Sequence, residues 1–210
     1  MSLGDDLKEV FSDVGTAFTI LRDAGNISGE YLIYEINRQV TKPFVREFFY
    51  ESEFAYDTEA VPGDVIEFDA DSRRFLIANL TDSHFEDGPI EKEGVLYKCN
   101  ISSGRLWRAS GEDWDDTSYR KIEDFQIIHD NVNALMTEGL YGHELEEDEE
   151  IGQITREGHE VYLSGDLLPQ ALDIWEPTSG EFYEVRTIKT RRYENIKVLE
   201  VSEQTRIRTV

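Results

Sequence analysis

Cysteine is nearly absent from this sequence: Cys99 is the only one in 210 residues. Because a single cysteine cannot form an internal disulfide, a disulfide-stapled secreted fold is excluded and a reducing compartment is expected. Long apolar runs are also missing, and no stretch approaches the roughly 18 residues of a membrane-spanning helix. The first residues, Met1–Asp6, are acidic where a secretory signal is basic, so neither export nor membrane association is expected.

Basic residues are scarce: 21 Lys and Arg stand against 45 Asp and Glu, for a net charge of −24. This charge argues against wrapping DNA or binding an anionic lipid surface. The charge is uneven, since Gly180–Val210 holds seven basic and five acidic residues and the preceding 179 hold 14 and 40. Such asymmetry is typical of head-to-tail or ring assembly, and equally of an acidic protein with a basic tail.

Apolar and aromatic residues are plentiful, with 11 Phe, 10 Tyr and 3 Trp, so the chain has enough to build a core. The stretch from Glu30 to Cys99 reads as a series of apolar-rich segments separated by glycine and acidic turns, a pattern typical of β-strands. Asp5 to Gly15 has apolar residues at helical spacing. The sequence therefore predicts a mainly β fold of small β-barrel or β-sandwich modules with a short N-terminal helix.

Two acidic segments suggest boundaries. Gly111–Asp116 is polar and acidic, and predicts a division into a β-barrel or β-sandwich domain over 1–112 and a second β-rich domain or extension over 113–210. Glu144–Glu150, with six acids in seven residues, predicts a solvated loop or a second boundary. Residues 119–141 favour strand over helix. Both halves share a turn followed by a hairpin, which raises the hypothesis of an internal duplication.

Known catalytic and nucleotide-binding motifs are missing: the sequence has no G-x-S-x-G, no P-loop, no G-x-G-x-x-G and no H-E-x-x-H. The four histidines are scattered singly, and Asp69–Asp71 and Asp113–Asp116 do not fit a calcium loop. Cys99 has no evident base partner and is interpreted as structural. No catalytic, cofactor-binding or metal-binding residue is predicted, and no enzyme activity or cofactor is expected.

Several phrases resemble, as a group, small structural proteins of tailed bacteriophages and prophages, with the head–tail connector or head-closure (neck) protein as the nearest type. The phrases are Gly29–Leu32, Gln39–Phe44, Gly63–Ile66 followed by Arg74–Ile77, Val95–Asn100 and Gly180–Val185. They describe turns and strands rather than chemistry. The resemblance covers residues 20–108 and, more weakly, 160–206.

This resemblance implies a β-barrel or sandwich protein of the virion, assembled in the host cytoplasm into a homo-oligomeric ring between portal or adaptor and tail proteins. DNA would pass through an acidic channel without tight binding. The predicted interface residues are the acids Glu144, Glu146, Glu147, Asp148, Glu149 and Glu150 and the basic residues Arg186, Lys189, Arg191, Arg192, Arg206 and Arg208.

Other functions stay open at this point. A tail-terminator or baseplate component would share the same features. Trp107, Trp114 and Trp175 are interpreted as core or interface anchors, but they also allow a carbohydrate-binding β-sandwich. The high negative charge also allows an acidic DNA mimic that inhibits a basic nucleic-acid-binding protein.

Overall fold

The computed structural model describes residues 3–36, 48–85, 88–115, 120–138, 147–148, 152–153 and 158–203. These residues form one helix and fourteen strands. In chain order the elements are α1 (Leu3–Val14), β1 (Thr16–Leu21), β2 (Ile27–Ile36), β3 (Phe49–Ala55), β4 (Val65–Phe68), β5 (Arg74–Phe85), β6 (Gly88–Lys98), β7 (Ile101–Asp115), β8 (Arg120–Glu138), β9 (Glu147–Asp148), β10 (Gly152–Gln153), β11 (His159–Ser164), β12 (Ile174–Glu176), β13 (Tyr183–Tyr193) and β14 (Ile196–Glu203).

Helix α1 confirms the predicted N-terminal helix. Asp5 lies in its first turn, where a negative charge interacts favourably with the helix dipole. Phe11 is the large apolar side chain that the helix buries, at 3% exposure. Tyr56 donates a hydrogen bond to Asp5 (2.9 Å), and this contact ties the helix to the first barrel. No helix in the described ranges is long and apolar enough to cross a membrane.

The first six strands close into a barrel, here barrel 1, in the order β1-β2-β3-β6-β5-β4. All neighbouring strands are antiparallel. Alternate residues point inward, and the interior is filled largely by aromatic and branched side chains. Phe18 and Phe54 are fully buried there, with an edge-to-face ring contact of 5.6 Å.

A second closed barrel, here barrel 2, has the order β11-β14-β13-β12-β7-β8. Its neighbouring strands are also antiparallel. Trp175 fills the centre of its core at 0% exposure, and a side chain at Gly104 would clash with the Trp175 ring. The short pair β9–β10 forms a separate two-stranded sheet.

The mainly β prediction is confirmed, and the modules are barrels. Strand β8 likewise confirms strand over helix for residues 120–138, the described part of the predicted segment 119–141. The sheets divide between Lys98 and Ile101, so the predicted division at 112/113 falls inside β7. The acidic Gly111–Asp115 segment is not a linker, because it continues β7 in a ladder with β8.

Candidate interaction surfaces

The two barrels are joined face to face by a cluster of nine buried apolar residues. Barrel 1 contributes Phe49, Val65, Leu76, Ala78 and Tyr97, and barrel 2 contributes Leu135, Tyr162, Ile196 and Val198. Fully burying one aliphatic side chain contributes about 1.5–3 kcal/mol. A join of this size therefore holds the barrels together as one body.

Tyrosines and a close backbone contact complete this join. The Tyr97 ring meets the Tyr162 ring edge to face at 5.4 Å, and its hydroxyl donates a hydrogen bond to Tyr193 (3.0 Å). Burial, followed by the hydrogen bond to Tyr193, raises the pKa of Tyr97. Gly63 has a φ of +91°, and a Cβ at this position would clash with the backbone of Asn195. Glycine is thus required where the turns of the two barrels touch.

In barrel 1, a bidentate arginine–aspartate pair, here called a lock, holds the turn before β4. Arg22 donates from Nε to Asp64 Oδ1 (3.0 Å) and from Nη2 to Asp64 Oδ2 (2.6 Å). The same Nη2 donates to the carbonyl of Glu59 (2.9 Å), five residues before Asp64. The backbone N–H of Val61, three residues before Asp64, donates to its carboxylate (2.9 Å). This bidentate geometry fixes the turn that precedes β4.

Barrel 2 contains the same lock at the corresponding place. Arg108 donates from Nε and Nη2 to the Asp173 carboxylate (2.9 and 2.8 Å), immediately before β12. Its Nη2 also donates to the carbonyl of Leu168 (2.7 Å), again five residues before the aspartate. The backbone N–H of Gln170, three residues before Asp173, donates to Asp173 Oδ2 (2.6 Å). When the strands of each barrel are counted from its own first strand, both closed orders run 1-2-3-6-5-4. This shared order and the shared arginine–aspartate pair support the hypothesis of an internal duplication.

The pairing registers give residue-by-residue equivalence. Ile77 exchanges backbone hydrogen bonds with the turn at Asp64, and Val185 does the same with the turn at Asp173. In both strands the register shifts at the next residue, which is Ala78 in β5 and Arg186 in β13. Ala78 and Arg186 therefore occupy equivalent positions. The strand pairings extend this equivalence from Ala78 and Arg186 to the neighbouring strands. The barrel 1 equivalents of Leu135, Tyr162, Val198 and Ile196 are Ile33, Glu53, Glu93 and Glu91, respectively.

One face of barrel 1 concentrates carboxylates across β2, β3 and β6. This acidic face consists of Ile33, Glu35, Glu51, Glu53, Glu91 and Glu93, and all but Glu91 line an open cleft of about 720 Å³. Glu53 lies directly opposite Glu93 in the β3–β6 ladder. Burial, followed by the charges of Glu53 and Glu93, raises the pKa of Glu91. The acids at alternate positions in Glu51–Glu53 and Glu91–Glu93 were the sequence signal for this face.

Barrel 1 packs against barrel 2 through the face that carries Leu76, Ala78 and Tyr97, and the equivalent face of barrel 2 is polar. Glu184, Arg186 and Ser202 stand where barrel 1 has Leu76, Ala78 and Tyr97; these three residues form the Arg186 face. Arg186 Nε lies 3.2 Å from Glu184 and donates to Ser202 Oγ (2.8 Å). The Arg186 side chain is 61% exposed. This face presents a cation, held in place, to the surroundings.

A fully buried carboxylate organises another part of barrel 2. Glu160 is 0% exposed and accepts hydrogen bonds from the Tyr162 hydroxyl (2.8 Å) and Lys189 Nζ (3.0 Å). Arg192 Nη1 lies 3.4 Å from both Glu160 oxygens. Lys189 also lies 2.5 Å from Glu200. A buried carboxylate needs such partners because leaving the charge unpaired is costly.

The predicted interface residues divide into four groups. Lys189 and Arg192 bind Glu160 within the chain, Arg186 is exposed on the Arg186 face, and Arg191 is exposed on β13. Glu147 and Asp148 form β9. The remaining members, which are Glu144, Glu146, Glu149, Glu150, Arg206 and Arg208, lie outside the described residues.

A second, smaller cleft of about 360 Å³ lies between the barrels and includes Asp23, Asp166 and His129 in its lining. His129 Nε2 accepts a hydrogen bond from the backbone N–H of Leu168 (3.3 Å), so this nitrogen is unprotonated. Burial, followed by the charge of Arg108, lowers the pKa of His129. Among the described side chains, no three His, Cys, Asp or Glu residues are grouped closely enough to hold a metal ion.

The residues singled out for packing behave as structural groups. Burial raises the pKa of the Cys99 thiol to about 12, which leaves it unreactive at neutral pH. Trp175 is a core anchor and is not accessible to a sugar ring. Trp107 donates from Nε1 to Glu176 (2.8 Å).

Comparison with known proteins gives little. No family model matches the chain, and no curated protein matches it. Among solved structures, MrkH, described as a c-di-GMP-dependent transcription regulatory factor, is 11% identical with a TM-score of 0.22 over 97% of this chain and 84% of that chain. The MrkH–c-di-GMP complex of K. pneumonia is 8% identical with a TM-score of 0.18, over 98% and 88%. Likenesses this weak carry no argument about fold or function.

Proposed function

We propose that this chain is a non-enzymatic structural protein of a tailed-phage virion, a ring-forming connector at the head–tail junction. In this role it assembles with copies of itself and docks on portal or adaptor proteins on one side and tail proteins on the other. DNA passes through the ring without being tightly bound. A tail-terminator or baseplate component is the alternative, since it would share the same fold and charge features.

The observation that carries this proposal is the join between the two barrels. Barrels of identical strand order contact each other through different faces: Leu76 and Tyr97 on barrel 1, Tyr162 and Val198 on barrel 2. A contact between non-equivalent faces is heterologous, and repetition of a heterologous contact generates rings or filaments rather than closed dimers. The chain thus carries, within itself, the type of contact from which rings are built.

The charge distribution supports passage of DNA through the ring. The net charge of −24, carried by 45 acidic against 21 basic residues, opposes association with phosphate. A surface that repels phosphate lets DNA slide past without being retained.

Contacts to the neighbours above and below are assigned to the exposed charged residues outside the barrels' own ion pairs. Arg191 is exposed on β13. The acidic run at 144–150 and the C-terminal Arg206 and Arg208 complete the proposed docking set. Complementary charges on a partner supply specificity more than raw affinity.

Native mass spectrometry with electron microscopy of the purified protein tests the proposal. The connector function predicts a closed homo-oligomer of fixed number, alone or on addition of the cognate portal protein, with no retention of duplex DNA at physiological salt. Tight duplex binding would contradict the channel. A monomer that forms a one-to-one complex with a basic DNA-binding protein would replace the connector with a DNA mimic. A monomer that is retained on a glycan column would indicate a carbohydrate-binding module.

A further inference from the structure

We propose that the acidic face of barrel 1 is the docking site for the Arg186 face of a second copy of this chain. This inference rests on the proposed ring function and names the two surfaces that form the ring contact. The partner is a second copy because the contact repeats, between chains, the join that already exists between barrels 1 and 2.

The equivalence of the faces defines the geometry. Within the chain, the barrel 1 face centred on Ala78 packs against the barrel 2 face centred on Tyr162. On barrel 2, the position equivalent to Ala78 is Arg186. On barrel 1, the position equivalent to Tyr162 is Glu53. A second copy placed by the same operation that relates the barrels brings its Arg186 face onto the acidic face.

The residue types at equivalent positions are complementary in charge. Where the internal join has Tyr162 and Val198, the acidic face has Glu53 and Glu93; where it has Ala78, the Arg186 face has an arginine. An apolar join suits a permanent contact within one chain. A charged join suits subunits that must remain soluble before they assemble, and it orients them during the encounter.

The acidic face also carries an internal electrostatic cost that a partner would relieve. Glu53 and Glu93 are exposed and directly opposite each other on adjacent strands, an arrangement in which like charges destabilise a sheet. Ile33 lies opposite Glu53 on the other side, at 37% exposure, and adds an apolar contact point at the equivalent of Leu135. An arginine brought between the two carboxylates offsets their repulsion.

Charge reversal tests the pairing. The double variant Glu53→Arg/Glu93→Arg and the single variant Arg186→Glu are each expected to weaken self-association roughly tenfold or more, because each places like charges in contact. The triple variant that combines them is expected to assemble again. The double variant Glu9→Arg/Asp13→Arg makes the same change in net charge as Glu53→Arg/Glu93→Arg, but on exposed positions of α1, and serves as the matched control for that variant. Circular dichroism and a thermal melt verify that each variant folds.

The outcomes separate this inference from the proposed function. If the wild-type chain oligomerises and the triple variant recovers what the two parents lose, the pairing holds. If the wild type oligomerises and neither parent variant differs from the control, the ring stands and these faces are not its contact. If the wild type stays monomeric in native mass spectrometry, both alone at high concentration and with the cognate portal protein, the ring function and this contact fail together.

Discussion

Glu53 and Glu93 face each other across the β3–β6 ladder at the positions where barrel 2 has Tyr162 and Val198. In barrel 2 these positions are covered by barrel 1, whereas in barrel 1 they are exposed. Equivalent positions thus form a permanent contact in barrel 2 and carry exposed carboxylates in barrel 1. This contrast links the fold to the proposed assembly.

The variant Glu53→Lys is expected to stabilise the isolated subunit while weakening its assembly. Replacing a like-charge cross-strand pair by an opposite-charge pair contributes about 0.2–1 kcal/mol. Urea unfolding at a concentration where the protein is monomeric measures the first effect, and sedimentation velocity measures the second. The variant Glu53→Gln removes the repulsion without adding a cation. Its free energy of unfolding is expected to lie between those of the wild type and Glu53→Lys. A loss of stability in Glu53→Lys would show that the carboxylate has a structural role in the monomer.

Removal of either locking aspartate is expected to destabilise the chain strongly. In Asp64→Ala or Asp173→Ala the arginine loses a bidentate partner and a backbone N–H loses its acceptor, so a loss of about 3 kcal/mol is expected from each. Urea unfolding monitored by tryptophan fluorescence gives the values. Asp71→Ala, which removes the exposed ion pair with Arg73, is expected to cost less than about 1 kcal/mol. If the losses in free energy of unfolding at Asp64 and Asp173 differ from each other by several kcal/mol, the two locks are not equivalent.

The sequence predicted the strands well because the apolar runs and the turn residues that mark them are local. The run Val65–Phe68 follows a Pro-Gly-Asp turn and corresponds to β4, and α1 follows from helical spacing. The acidic segment Gly111–Asp115 was interpreted as a boundary because its polarity is typical of loops. Its pairing with β8 is a long-range feature that composition does not reveal.

The repeat and the acidic face were hidden for a different reason. Arg22 and Asp64 are 42 residues apart, whereas Arg108 and Asp173 are 65 apart, so no fixed sequence period connects the two locks. The acidic face is likewise assembled from three strands, and Glu53 and Glu93 become neighbours only through the order of barrel 1. The contiguous acids at 144–150 were more conspicuous in the sequence.

Leu172 and Gly63 occupy equivalent positions with the same left-handed backbone conformation, and a substitution at Leu172 tests this equivalence. Leu172 precedes Asp173 with a φ of +72°, just as Gly63 precedes Asp64 with a φ of +91°. Because a left-handed conformation is strained for leucine and ordinary for glycine, Leu172→Gly is expected to stabilise the chain by about 0.5–1 kcal/mol. The Leu172 side chain is 69% exposed, so little packing is lost. The matched control Leu168→Gly, at 67% exposure, is expected to give no stabilisation. Thermal unfolding distinguishes the two.

His129 predicts a loss of stability in mild acid. The pKa of His129 is lowered in the folded state by burial and by Arg108. Its contribution to stability is therefore fully present above the unfolded value of 6.5 and is lost as the pH falls through the lower folded pKa. Protonation of Nε2 also removes the acceptor of the Leu168 N–H. An NMR titration of the imidazole gives the folded pKa, and His129→Gln is expected to remove this part of the pH dependence. A folded pKa above 6.5 would contradict the assignment.

The most direct test of head-to-tail assembly mixes two variants that are each unable to assemble. Glu53→Arg/Glu93→Arg retains the Arg186 face, and Arg186→Glu retains the acidic face. In a mixture both kinds of contact pair opposite charges. Native mass spectrometry of the equimolar mixture is expected to show closed oligomers that contain equal numbers of the two variants and therefore an even number of subunits. Oligomers of either variant alone, or no mixed oligomers, would contradict the account.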